Sequence, residues 1–197
     1  ALERVLRTAE MTVPEYLRAA WLIGHEDLGR CAPRTREILH DVQSRVTTVD
    51  EYLLGGRCFA HRSVLDDAAA GRGWFREAAF LAIRTSSVLW LTDIAAQVAD
   101  PDVLADRPWA TFLARKAVGM ATDWPQLQDI AEFLAGIDRD AARRLYRRFD
   151  VFIERQYRVR IAGSIAEYLQ DDAWAWRMAE RGFDMAEDPA AARASFA

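Results

Sequence analysis

The fold is decided by residues 74–98, WFREAAFLAIRTSSVLWLTDIAAQV, which carry apolar side chains around most of a helix circumference. The apolar residues recur at spacings of three and four, and no stretch alternates apolar and polar residues as a half-buried strand does. A helix that is apolar on all sides is buried rather than laid on a surface. The sequence therefore predicts one helix over 74–98 at the centre of an all-α protein.

The remainder of the chain shows the same helical periodicity between clear breaks. A short helix is expected over 1–9, and two later helices begin at capping boxes, Thr12 with Glu15 and Thr48 with Glu51. No repeat period is evident. We expect a single compact domain over residues 1–197, bundle-like or orthogonal, with seven to nine helices.

Two adjacent glycines, Gly55 and Gly56, lie inside the helix that starts at Thr48. Each glycine costs about 1 kcal/mol of helix stability relative to alanine. We therefore expect either a neighbouring element packed closely against them or a kink in the helix.

Composition excludes several classes of protein. The 197 residues are 51% hydrophobic and 28% charged, which is typical of a globular domain. The apolar runs are much shorter than the roughly 20 residues of a membrane span, so no membrane association is expected. The start of the sequence has no signal-peptide pattern, and Cys31 and Cys58 form neither a disulfide framework nor a metal pair by spacing. A cytoplasmic protein without a metal site is expected, and any cofactor is left open.

Polar residues on apolar helix faces suggest a ligand pocket. His25 shares a face with Leu17, His61 shares one with Leu65, and polar residues interrupt the apolar helix 74–98. Because buried polar groups need partners, we expect a small-molecule ligand in an aromatic-walled pocket, with a small enzyme as one form of this hypothesis. The candidate ligand-binding residues are His25, His61, Arg84, Ser87, Asp93, Trp21 and Trp90. The structural alternative is that the histidines are core residues and that the serines bond to the preceding turn.

A basic segment gives an alternative function. The formal net charge is −4, yet residues 139–160 hold eight arginines against three acidic residues. Residues 125–149 resemble a helix-turn-helix DNA reader in outline, although the stretch between Ala131 and Gly136 is one residue longer than in the usual unit. The residues that would contact nucleic acid or an acidic partner are Arg139, Arg143, Arg144, Arg147 and Arg148. A protein-interaction domain that forms a homodimer through a long helix over 139–169 is a further alternative.

Several catalytic motifs are missing from the sequence. It contains no Gly-rich phosphate loop, no Gly-x-Ser-x-Gly elbow and no Cys-x-x-Cys pair. Catalytic residues are therefore not assigned, and whether the protein is an enzyme is left open.

Overall fold

The computed structural model describes residues 11–28, 30–150, 153 and 157–183. These residues form ten α-helices and no strand, which confirms the all-α class with slightly more helices than the seven to nine expected. None of these helices has the length and apolar character needed to cross a membrane. The helix expected over 1–9 lies outside the described residues.

The chain divides into two compact units, Ala1–Ala117 and Val118–Ala197, so the expectation of one domain over 1–197 stays a prediction. The helices that begin in the first unit are α1 (Val13–Gly24), α2 (Ala32–Gln43), α3 (Val49–Ala60), α4 (Ala68–Arg84), α5 (Val88–Ala99) and α6 (Arg107–Met120). Those of the second unit are α7 (Trp124–Ile137), α8 (Arg139–Phe149), α9 (Arg158–Ser164, continued by a π-helical turn Ile165–Leu169) and α10 (Asp172–Phe183).

The single helix predicted over 74–98 is wrong, because two helices, α4 and α5, meet within it. Ser86 adopts a left-handed backbone with φ of 51°, and Ser87 N–H donates to Ala82 O at 2.9 Å. This is the six-to-one hydrogen bond that closes the C-terminus of many helices. Ser86 occupies the left-handed position of that motif, where glycine is usual. Ser87 then caps α5 by accepting from Trp90 N–H. The polar insertion is therefore a turn between helices.

Three turns of the first unit, residues 25–31, 61–67 and 100–106, have the same backbone hydrogen bonds. In each turn the sixth residue donates its N–H to the carbonyl of the first, at 3.3, 3.2 and 2.9 Å. The seventh residue donates to the carbonyl two residues before the turn, at 2.9, 2.7 and 2.9 Å. Each turn joins two helices, so the described part of the first unit contains three αα-hairpins: α1–α2, α3–α4 and α5–α6.

Successive turns are also bonded to one another. Glu26 N–H donates to Ser63 O, and Arg62 N–H donates to Asp102 O, both at 2.9 Å. Donor and acceptor occupy the second and third positions of their turns in both cases. The equivalent donor position of the third turn is Pro101, which has no N–H. We call this series of bonds the turn ladder.

The turn ladder overturns the expectation that the chain has no repeat. The turns begin at His25, His61 and Asp100, 36 and 39 residues apart, and this period is typical of two-helix repeats. Equivalent positions of the repeats carry mostly different residue types, because the hydrogen bonds that define the repeats are made by backbone atoms. Sequence reasoning therefore missed the period.

The second hairpin is held by close packing at its glycines. The Trp74 ring lies against Gly55 in the space that a side-chain carbon would fill, and a carbon on Gly56 would be 3.2 Å from Phe75. On the opposing helix, a carbon on Gly71 would lie 2.5 Å from Ala60 Cβ. Of the two outcomes expected for the glycine pair, close packing is confirmed.

A buried polar cluster ties α9 to α7 in the second unit. Gln128 Nε2 donates to Glu132 Oε1 at 2.6 Å and to Ser164 Oγ at 2.9 Å, and Ser164 Oγ donates to the same Glu132 oxygen at 2.7 Å. Tyr146 is fully buried nearby, and burial raises the pKa of its hydroxyl well above the usual range. Such a closed triangle fixes the π-helical end of α9 against α7.

The glycines of the second hairpin allow a matched test of this packing. Gly55→Ala should lower the free energy of unfolding by about 1–3 kcal/mol, because the added methyl overlaps Trp74. Gly73→Ala, in the same hairpin with nothing within 4 Å, should raise it by roughly 0.5–1 kcal/mol. Urea denaturation of both variants measures the difference. Stabilisation by both alanines would contradict the close packing.

Candidate functional site

Three candidate residues, His25, His61 and Trp21, lie together around Ser63. Ser63 Oγ lies 3.2 Å from His25 Nε2 and 2.8 Å from His61 Nδ1. The Trp21 ring meets His61 edge-on, with centroids 5.0 Å apart, and is 6.0 Å from His25. Both histidines are half-buried where the first two turns of the ladder meet.

Each histidine also supports its own turn. His25 Nδ1 accepts from Asp27 N–H at 3.4 Å, and His61 Nδ1 accepts from Ser63 N–H at 3.2 Å. In the third turn Asp100 Oδ1 accepts the equivalent bond, from Asp102 N–H, at 2.8 Å. A carboxylate accepts this bond in the third turn as a histidine ring does in the other two. The first residue of each turn is therefore an acceptor that closes the turn. The arrangement supports the structural interpretation of the histidines.

Metal chemistry has no support from this cluster. Among the residues that the structure describes, no group of three or more histidine, cysteine or acidic side chains is placed to hold a metal ion. Among the described residues, the hydrogen-bond partner that His25 and His61 have in common is Ser63, whose hydroxyl is a poor metal ligand.

The expectation that Arg84 and Ser87 face an interior pocket is wrong. Arg84 is exposed, with its guanidinium carbon 5.7 Å from the Phe80 ring centroid. Ser87 uses its hydroxyl to cap α5. Both positions follow from the turn that divides 74–98, since a turn brings its polar residues to the surface.

The other two candidates, Trp90 and Asp93, line a surface groove of about 460 Å³ in the first unit. The groove runs across α1, α3 and α5, which are the first helices of the three hairpins. We call it the first-helix groove. Its lining residues are Arg18, Asp50, Leu53, Leu54, Arg57, Trp90, Asp93, Ala96 and Gln97.

Two polar atoms of the first-helix groove are buried without a hydrogen-bond partner among the described residues. They are Arg57 Nε, a donor, and Gln97 Oε1, an acceptor. The Arg57 guanidinium also lies 5.1 Å from the Trp21 ring centroid, which links the groove to the histidine cluster. A buried polar group without a partner costs about 1–3 kcal/mol, so either atom would gain from a hydrogen-bond partner.

Charges of both signs surround the apolar part of the groove. Arg18, Arg57, Asp50 and Asp93 all line it, and within the described part of the chain none of these four forms an ion pair with another. Asp93 is exposed at the rim, yet partial loss of water raises the pKa of its carboxyl above the usual range. The groove therefore offers separate donors and acceptors.

Arg57 and Gln97 were missed by sequence reasoning. Arg57 occupies the same repeat position as Trp21, 36 residues earlier, and Gln97 the same position as Cys58, 39 residues earlier. Aligning the sequence at the three turns would have placed these residues on the first helices. Unless the repeat is known, nothing in the sequence distinguishes Arg57 from the other arginines as a groove residue.

The predicted basic helix over 139–160 is wrong as a continuous element. Helix α8 ends at Phe149, and a new helix begins at Arg158. An unbroken helix over 139–169 is wrong for the same reason. After α8, the Asp150 carboxylate accepts hydrogen bonds from Arg158 and Arg181.

The five candidate arginines all lie on α8 but have different surroundings. Arg139, Arg144, Arg147 and Arg148 are exposed, whereas Arg143 is half-buried and its Nη2 lies 3.4 Å from Asp171 Oδ2. The opposite face of α8 buries its apolar residues Ala141, Ala142, Leu145, Tyr146 and Phe149.

The junction of α7 with α8 is one residue, Asp138, which ends one helix and caps the next through Ala141 N–H. The turn of a helix-turn-helix unit usually has three or four residues. Nucleic acid and a homodimer as partners stay predictions.

Comparison with known proteins gives no match: no protein-family model, no curated protein and no solved structure is significantly similar to this chain. Support for a function therefore comes from the geometry of the residues described above.

The turn-closing role of His61 predicts how substitutions behave. His61→Ala should lower the free energy of unfolding by about 1 kcal/mol, because Ser63 N–H loses its acceptor. His61→Asn should be much closer to the native protein, since a short amide oxygen can accept the same bond. Thermal or urea denaturation measures both, with His40→Ala, at an exposed histidine, as the control. Equal losses for alanine and asparagine would show that the acceptor is unimportant.

Proposed function

We propose that the first unit is a binding module whose first-helix groove takes a small molecule or short peptide carrying an amide group. The observation that supports this most directly is the pair of buried, unpartnered polar atoms, Arg57 Nε and Gln97 Oε1. An amide offers a carbonyl oxygen to the first and an N–H to the second. An amide therefore matches the donor and the acceptor in kind.

The size and lining of the groove support a ligand of this class. A volume of about 460 Å³ lies within the range of small-molecule sites, roughly 300–1,000 Å³. Trp90, Leu53 and Leu54 supply apolar surface, and tryptophan contributes large contact area with little loss of side-chain freedom. Such a mixture of apolar walls and few directed polar groups is typical of ligand pockets.

The charges at the rim favour a ligand with both an anionic and a cationic end. Arg18 and Arg57 can meet a carboxylate, and Asp50 and Asp93 can meet an ammonium group. Dipeptides and amino-acid amides combine these charges with the central amide. A strongly anionic or strongly cationic ligand would leave one pair of charges unsatisfied.

The groove can be tested with probes that differ only in the amide. A panel of dipeptides is compared with matched ester analogues by thermal shift and isothermal titration calorimetry. Replacing N–H by oxygen leaves the carbonyl and both charges but removes the donor for Gln97 Oε1. The dipeptides should raise the melting temperature, and the esters should bind about tenfold more weakly.

Variants of the groove complete this test. Gln97→Leu should abolish the preference for amide over ester, and Arg57→Met should weaken both probes by at least about tenfold. Arg76→Met, at an exposed arginine of α4 outside the groove, is the control and should bind as the native protein does. The proposal fails if no dipeptide binds, or if the groove variants and the control bind equally.

A further inference from the structure

We propose that the second unit carries a separate site for a phosphate monoester, in a groove between α8 and α10. The groove has a volume of about 290 Å³, and its residues are distinct from those of the first-helix groove. We call it the arginine groove. Its lining residues are Arg147, Asp150, Asp171, Trp174, Arg177, Met178 and Arg181.

Both oxygens of the first carboxylate in the arginine groove accept a hydrogen bond from an arginine. Asp150 Oδ1 accepts from Arg158 Nη1 at 3.0 Å, and Oδ2 accepts from Arg181 Nη1 at 3.1 Å. Arg158 also donates to the Asp150 carbonyl at 3.3 Å, and its side chain is only 17% exposed. The carboxylate therefore holds Arg158 and Arg181 in fixed positions, and its own charge is compensated by theirs.

The second carboxylate is also occupied. Asp171 Oδ1 accepts from Trp174 N–H at 3.1 Å at the start of α10, and Oδ2 accepts from Arg143 Nη2 at 3.4 Å. Arg143 Nε is buried and has no acceptor among the described residues. Neither aspartate is left with an oxygen that would need a cation from outside.

Two arginines of the groove have no carboxylate within salt-bridge distance in the part of the chain that the structure describes. They are Arg147 and Arg177, both exposed to solvent. The Arg147 guanidinium lies 5.8 Å from the Trp174 ring centroid, so the aromatic face orients its planar fork. Together with Arg181, they surround a floor formed by the buried Met178.

A phosphate monoester fits this arrangement better than a carboxylate does. Near neutral pH it carries a charge between about −1.5 and −2 with three acceptor oxygens, and arginine forks bind such oxygens in pairs. Asp150 holds Arg181, and Trp174 orients Arg147. These two arginine side chains therefore lose less conformational entropy when a ligand binds. Of the candidate arginines on α8, Arg147 lines the groove, whereas Arg139 and Arg144 do not, so most of the row that a nucleic-acid backbone would follow lies outside it.

The test is calorimetric titration of the full chain with inorganic phosphate and with O-phosphoserine, using serine as the uncharged comparison. We expect both phosphates to bind and serine not to bind. Arg147→Gln and Arg177→Gln should each weaken phosphate binding by at least about tenfold. Arg144→Gln removes an equal charge from the same helix outside the groove, and should change the affinity by less than about twofold.

A duplex DNA of about 20 base pairs is titrated in parallel at two salt concentrations. If DNA binds, if its affinity falls steeply with salt, and if Arg144→Gln weakens it as much as Arg147→Gln does, the arginines form a general polyanion surface and the proposal is overturned. It is also overturned if phosphate fails to bind at concentrations on the order of 10 mM. Circular dichroism of each variant confirms that the helices are retained.

Discussion

The hydrogen bonds between successive turns set the arrangement of the first unit. Glu26 N–H and Arg62 N–H each reach one carbonyl of the following turn, which fixes the spacing of neighbouring hairpins. Because both bonds join backbone atoms, this spacing does not depend on which side chains the turns carry. The first helices α1, α3 and α5 then lie side by side, and the groove across them exists because the turns hold them there.

Side chains decide how tightly a given hairpin closes within that spacing. In the second hairpin, absent side chains at Gly55 and Gly56 let Trp74 and Phe75 approach the backbone of α3. The helix propensity lost at each glycine, about 1 kcal/mol, is offset by burial of two large aromatic rings. The glycine pair itself indicated this contact in the sequence. Because the two glycines lower the stability of the helix, a neighbouring element had to compensate for them.

The sequence predicted helices well where their starts depend on local chemistry. The capping boxes at Thr12 and Thr48 are both present, because a cap is a contact between residues three apart. The division of 74–98 was missed because Ser86 takes a left-handed conformation that usually signals glycine. Apolar periodicity continues through such a turn when the helices on both sides are buried.

The candidate site was predicted in part. Helical spacing predicted His25, His61 and Trp21 on inward helix faces. Trp21 lies on α1, whereas both histidines follow the last residue of their helices and begin turns, where the three side chains meet. Their partners could not be predicted, since His61 bonds to a turn backbone and Trp21 lies under Arg57, which is 36 positions further on. Contacts between residues of different repeats can be predicted from a sequence only after the repeat period is known.

Pro101 limits the places at which a further hairpin could join the turn ladder. An additional hairpin inserted between the second and third turns would receive one backbone bond and donate one, so the series could lengthen from within. A hairpin added after the third turn would find no donor at residue 101 and would have to be held by side chains alone. Pro101 therefore ends the series of backbone bonds that joins one turn to the next.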